Sequence, residues 1–407
     1  MLTYKTYNEL TIYPLERGSN KNRLVSRVDA NHPDAITHYR SEIHEDHDKI
    51  VNLFTPSEQP DERSAGNDHP AAAEEVETTA LYGGVLFWHF GHFLAESLHR
   101  LWCLDEIKHQ GPIFFHAPTK DGKRFSIELP AYAEEALNLL GIASDRVRMI
   151  TSPLRFRSIH VPEQGRILGG VGNNEYAECI RHINLSATSR CGTLYISRSQ
   201  HLHSGGFLGE LCLERILEKK GVDTIRPETI GLGEFARKVN NYDTLVFSEG
   251  SAIHVLELIK HLPVRVIILC RREPWRTERF FGALIKQIGS KGVYIPYSQA
   301  MRPIEWNKQK GKPSSQRTPV YFNAQHLFTE LGNALELEFS PDDIQQFNQS
   351  VPLDILRFLS HEQSIRPNTT SDENYGRLVK RFIKNTQKIL SDLQSQPSDA
   401  WGQGSNA

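Results

Sequence analysis

Residues Thr244–Ile259 read TLVFSEGSAIHVLELI. Thr244–Ser248 is apolar with β-forming residues and reads as a buried strand. Glu249-Gly250-Ser251 makes a tight turn, and a helix is predicted over Ser251–Ile259. A strand that turns through glycine into a helix is the repeating unit of a doubly wound parallel sheet. Small residues at the turn let backbone N–H groups approach an anion, and a helix N-terminus favours negative charge. A diphosphate is therefore expected at Gly250, Ser251 and Ala252. Glu249 and Glu257 lie about two helical turns apart. Glu249 is expected to face a sugar and Glu257 to reach ribose hydroxyls. The competing reading makes Ser251 a helix cap and Glu257 a surface carboxylate.

The same rhythm extends on both sides. Strands are predicted at Thr193–Ser197, Val222–Ile225 and Val264–Leu269, with helices at Gly209–Lys220 and Leu232–Val239 between them. Arg198 stands just past the first strand, placed to clamp a phosphate with its planar fork of donors. Arg271 and Arg272 follow the last and add charge to the same rim, or form a surface pair.

A second informative stretch is Gly83–Trp102, GGVLFWHFGHFLAESLHRLW. A Gly-rich loop leads into a helix whose positions 92, 96, 99 and 100 form one polar stripe, since residues three and four apart are helical neighbours. Glu96 beside His92 is a candidate general base. Two other readings stand beside it. His92 could cap the helix while Glu96 pairs with Arg100. Alternatively His89, His92, Glu96 and His99 could ligate a metal, although their spacing matches no zinc pattern.

The chain has 407 residues, 39% hydrophobic and 24% charged, as suits two soluble domains. A formal net charge of −2 argues against binding driven by nucleic-acid phosphates. No apolar run reaches the roughly 18 residues of a spanning helix, and the N-terminus lacks a secretory pattern. Cysteines 103, 179, 191, 212 and 270 are unpatterned, which reads as reduced thiols in a cytoplasmic protein. Residues 55–77 read as a solvated linker, 175–187 as a helix and the last dozen as a disordered tail. The Gly-rich segment 163–174 reads as an acceptor-cleft border or a connector.

Three segments in order, HFLAESLHRLW at 92–102, LYISRS at 194–199 and SEGSAIHVLEL at 248–258, resemble glycosyltransferase family 61. The likeness is greatest to bacterial members of capsular-polysaccharide biosynthesis. The resemblance implies a GT-B architecture, with two Rossmann-like domains facing across a cleft. It implies inverting transfer from a nucleotide sugar, UDP-linked, to a glycan acceptor, with no metal and no other cofactor. The family's His…Glu/Asp pair matches His92 and Glu96. Its strand-end arginine matches Arg198, and its glycine turn matches Gly250-Ser251-Ala252. Where many relatives have His-Gly-Ala, this chain has Ser-Glu-Gly-Ser-Ala.

The expected organisation is an acceptor-side domain over 1–185, a nucleotide-sugar domain over 186–300, and a helical extension with a tail over 301–407. The expected location is cytoplasmic, peripheral to the inner membrane and to an assembly complex. A non-catalytic nucleotide-sugar-binding component of such a complex is the alternative.

Overall fold

The computed structural model describes residues 2–12, 73–116, 128–166, 189–259, 261–301, 318–365 and 373–394. Between them it adds residues 14, 16–17, 23–25, 39–41, 50–51, 119–120, 123–124, 176, 305–307 and 312–314. Most of the expected linker, the 175–187 helix, positions 167–174 of the Gly-rich segment and the tail lie outside the described residues.

The chain forms two compact units. The first comprises 1–186 with 231–240 and 253–262, and the second 187–230, 241–252 and 263–407. The division is thus no simple cut. Two short stretches inside the second block belong to the first unit, and the C-terminal helices belong to the second. Helix packing explains one of these insertions. The helix Leu232–Asn240 lies against the helix Ala131–Leu139, where Gly233 N–H donates to Glu135 Oε2 at 3.1 Å.

In the first unit, strands β1 (Tyr4–Ile12), β2 (Glu74–Val76), β3 (Ala80–Val85), β4 (Ile113–His116), β5 (Val147–Ile150) and β6 (Leu154–Pro162) form one sheet. Its order is β1-β6-β3-β4-β5, with β2 also on β6. β1 is antiparallel to β6 and the other pairs are parallel. The Gly83-Gly84 pair, expected in a loop, sits inside β3. A side chain at Gly83 would overlap the Phe115 ring, and Gly84 has φ of +93° at an irregularity in the ladder. Only glycine meets both demands at no steric cost. Tyr7, Leu10, Ala80, Phe114, Phe156 and Ile159 form the core on this sheet.

In the second unit, β7 (Thr193–Ile196), β8 (Asp223–Ile225), β9 (Thr244–Ser248), β10 (Arg265–Leu269) and β11 (Lys291–Ile295) form an all-parallel sheet in the order β8-β7-β9-β10-β11. This is the doubly wound order 2-1-3-4-5, whose direction switches between its first and third strands. The central strands are buried on both faces, which is why they read as continuous apolar runs. Tyr195, Val246 and Ile267 pack with Leu213 and Leu217 of the helix Glu210–Lys219. The same core takes Phe347 and Phe358 of the helix Pro341–Ile365 and Phe382 of Glu373–Gln394. β11 had no sequence reading, because Lys291-Gly-Val-Tyr-Ile295 alternates exposed and half-buried positions at the sheet edge.

Candidate functional site

The carboxyl ends of β7 and β9 flank the switch point of the second sheet, the position where open α/β sheets bind ligands. Arg198 leaves β7 there, and Ser248-Glu249-Gly250 leaves β9. A Cβ at Gly250 would overlap the Arg198 guanidinium, so glycine is required for Arg198 to lie across the turn. Arg198 Nη2 donates to the Ser204 carbonyl at 3.2 Å, and Arg271 Nη1, beyond β10, donates to the same oxygen at 3.2 Å. Two guanidinium groups thus converge on one carbonyl. Neither has a carboxylate partner among the described residues, and the Nε atom of each is buried without a hydrogen bond. Burial lowers the affinity of both for their protons, and Arg271 is pushed down to about 10 with Arg272 and Arg198 adding repulsion, while Glu249 opposes the shift at both and Glu210 and Glu228 oppose it at Arg198.

The nearby acids are engaged elsewhere. Glu249 is only 1% exposed. Its Oε2 accepts from Arg271 N–H at 2.7 Å, Arg272 N–H at 3.1 Å and Thr277 Oγ1 at 3.0 Å. Its Oε1 accepts from Arg272 Nη1 at 2.7 Å. The expected sugar-facing role of Glu249 therefore gives way to bracing of the turn after β10, and Arg272 is neutralised by it. Glu210, below Arg198, accepts from Arg198 N–H at 2.7 Å and Tyr195 OH at 3.0 Å. Burial pushes Glu210 up to about 7. Its folded-state value lies above the unfolded one, so its contribution is complete below about 4.5 and lost as pH rises towards 7. Glu210→Gln should abolish this decline and raise stability above neutral pH. Urea midpoints at pH 5 and 7.5 check it; an unchanged difference between them would exclude Glu210 as the titrating group.

The segment Ser251–Leu258 forms a 3₁₀ helix rather than the expected α-helix. Ser251 and Ala252 stay with the second unit, whereas Ile253 onward belongs to the first. Glu257, expected at ribose hydroxyls or at the surface, is 2% exposed. Its Oε2 accepts from Arg166 Nη1 at 2.8 Å, with His99 Nε2 at 3.7 Å, and its Oε1 lies 3.6 Å from His254 Nδ1. Burial alone would raise the Glu257 carboxyl, but Arg166 and the two imidazoles hold it well below the usual range. This is an interior counter-ion, and the ribose role is withdrawn.

The expected polar stripe is also divided. Phe90–His92 is one α-helical turn, Phe93–Ser97 is π-helical, and the chain turns before Cys103–Glu106. The wider turn keeps His92 and Glu96 together, with His92 Nδ1 and Glu96 Oε1 2.5 Å apart. His99 instead points inward, its Nδ1 donating to the Arg166 carbonyl at 2.9 Å. Arg100 is buried over the Tyr82 ring and donates to the Pro162 carbonyl. Glu96 is 6% exposed and His92 30%, so the imidazole stands outward with the carboxylate behind it. No three His, Cys, Asp or Glu among the described residues group as metal ligands.

Residues 90–258, which span both the His92–Glu96 pair and the Arg198–Gly250 turn, match the family model for Glycosyltransferase 61. This segment belongs to glycosyltransferase family 61. The protein is accordingly a glycosyltransferase. No curated protein matches the chain significantly. No helix among the described residues is long and apolar enough to cross a membrane. Sequence reasoning passed over Arg166, Glu210 and His254 in this glycosyltransferase. The first lies in a segment read as a cleft border or a connector, the second on a helix to which no site was assigned, and the third was quoted without a role.

Proposed function

We propose that this glycosyltransferase is an inverting, metal-independent enzyme of GT-B type. It moves a sugar from a nucleoside-diphosphate donor, UDP-linked, to a glycan acceptor in surface-polysaccharide assembly of the capsular kind. The carrying observation is the guanidinium pair, Arg198 and Arg271, which converges on the Ser204 carbonyl at the switch point of the parallel sheet. Such a pair suits a diphosphate, which needs fixed positive partners as the leaving group gains charge. Gly250, Ser251 and Ala252 allow close approach of backbone at the same turn.

In the first unit the His92–Glu96 pair is the proposed base. The acceptor O–H gives its proton to His92 as the acceptor oxygen bonds to the anomeric carbon. The bond from that carbon to the donor phosphate breaks, and its electron pair leaves on the diphosphate. Glu96 fixes the imidazole and stabilises its cation, as a carboxylate behind a catalytic histidine does. The relative exposure of the two side chains favours this order over Glu96 as the direct base. We place the reaction in the cytoplasm, peripheral to the inner membrane and its assembly complex.

Titration calorimetry with UDP, without divalent cation, tests the donor site. Arg198→Ala and Arg271→Ala should each weaken binding about 10–100-fold, the worth of a charged hydrogen bond. Arg272→Gln should not, because Arg272 is already paired with Glu249. Undiminished UDP affinity in Arg198→Ala would refute the assignment.

A further inference from the structure

Two buried acids one helical turn apart, Glu210 and Glu214, hold the segment that leaves β7. Glu210 Oε1 accepts from Arg198 N–H at 2.7 Å and Tyr195 OH at 3.0 Å, and lies 3.4 Å from Ser197 Oγ. Glu214 Oε1 accepts from Ser199 Oγ at 2.5 Å and from Ser197 Oγ. The segment continues as the 3₁₀ turn Ser199–Ser204, whose last carbonyl receives Arg198 and Arg271. Arg198 is thus fixed at its backbone by Glu210 and at its guanidinium by the end of that turn. All these residues belong to the second unit. The two acids differ in charge. Glu214 meets Arg226, which follows β8 and donates through Nε at 3.2 Å and Nη2 at 2.5 Å. These and the serine hydrogen bonds outweigh its burial and keep it an anion. Glu210 takes a backbone N–H and a phenol instead, and its burial outweighs them. Because Oε1 carries both donors, the proton of the neutral acid belongs on Oε2, which is buried without a hydrogen bond among the described residues.

We propose that Glu210 is a positioning residue for the donor site: as a neutral acid it holds the Arg198 backbone at the end of β7 and leaves the guanidinium charge to the donor diphosphate. The role rests on the reading of Arg198 as a donor partner. An ionised Glu210 would draw on the same cation as the diphosphate and repel it, so the bound donor favours the protonated acid. The groups facing Glu210 come from every element around it. They are Tyr195 and Arg198 at the end of β7, Ser248 at the end of β9 and Glu214 on its own helix, with Arg226 beyond Glu214. From the helix Pro341–Ile365, Asp354 accepts from Gly209 N–H at 2.8 Å, just before Glu210. Burial pushes Glu210 up to about 7, against Arg198, Ser248 and Tyr195, which lower it. The acid is therefore neutral below about 7 and charged above it, and donor affinity carries that step.

Titration calorimetry of the full chain with UDP, without divalent cation, separates this from a purely structural cluster. Glu210→Leu removes the acceptor and should weaken UDP binding about 10-fold or more. In an Arg198→Ala background the same change should alter UDP affinity less than about 2-fold, because its effect passes through Arg198. Glu210→Gln keeps the neutral acceptor and guards against a misfolded Leu variant. UDP titrates equally with either protein, so the ratio of wild-type to Glu210→Gln affinity isolates Glu210. Between pH 6 and 8 that ratio should fall about 3–10-fold, the effect of one like charge held near the diphosphate. The Arg198 amide proton, followed by NMR, should titrate near pH 7 in the wild type and not in Glu210→Gln. Equal losses from Glu210→Leu in both backgrounds, or a ratio that stays flat with pH, overturns the proposal. If the wild type binds no UDP while the Arg198 amide still titrates with Glu210, the donor reading fails and the hold of Glu210 on Arg198 stands.

Discussion

Transfer by the His92→Ala enzyme is expected to fall about 10²–10⁴-fold, the usual contribution of a positioned general base. UDP affinity is expected to stay at the wild-type value, because the proposed donor partners follow β7, β9 and β10 and are not on this helix. Glu96→Gln should lose nearly as much activity. Gln keeps the shape but can neither fix the imidazole tautomer nor stabilise its cation. Single-turnover kinetics with saturating donor separates chemistry from binding. If His92→Ala retains full turnover while Glu96→Gln is inactive, the carboxylate is the direct base and the order of the two is reversed. If both retain it, the pair has no catalytic duty.

The second large effect is on stability. Arg166→Met should cost about 3–5 kcal/mol, because it leaves the Glu257 carboxylate buried without its counter-ion. Adding Glu257→Gln should recover much of that loss, since no buried carboxylate is then left without its counter-ion. Urea unfolding of Arg166→Met, Glu257→Gln and the double mutant measures the difference. A loss in the double mutant equal to the sum of the two single losses would mean that the pair is not coupled. The same pairing predicts acid sensitivity. Glu257 is held below its unfolded value, so its contribution is present above about 4.5 and is lost as pH falls towards the folded value.

The second sheet was legible because its strands are buried on both faces. Uninterrupted apolar runs such as Leu245-Val-Phe247 and Val266–Leu269 can satisfy only that environment. The first sheet was harder to read. β1 alternates weakly, and Gly83-Gly84 signals a turn when taken alone. Its place in β3 depends on Phe115 of a strand about 30 residues away in the chain.

Local sequence by itself determined the strand–turn–helix at Gly250, the arginine after β7, the neighbouring His92 and Glu96, and through them the family. These depend on near neighbours in the chain, where spacing carries the information. Only the tertiary structure decided the fate of the carboxylates and imidazoles. Glu249 turned out to brace Arg272 and the backbone after β10, Glu257 to face Arg166, and His99 to leave the stripe it shares with His92. The physical reason is that a carboxylate reads the same in sequence whether it meets solvent, ligand or a buried cation. What separates these cases is the cost of removing its charge from water, and that cost is set by partners far away in the chain.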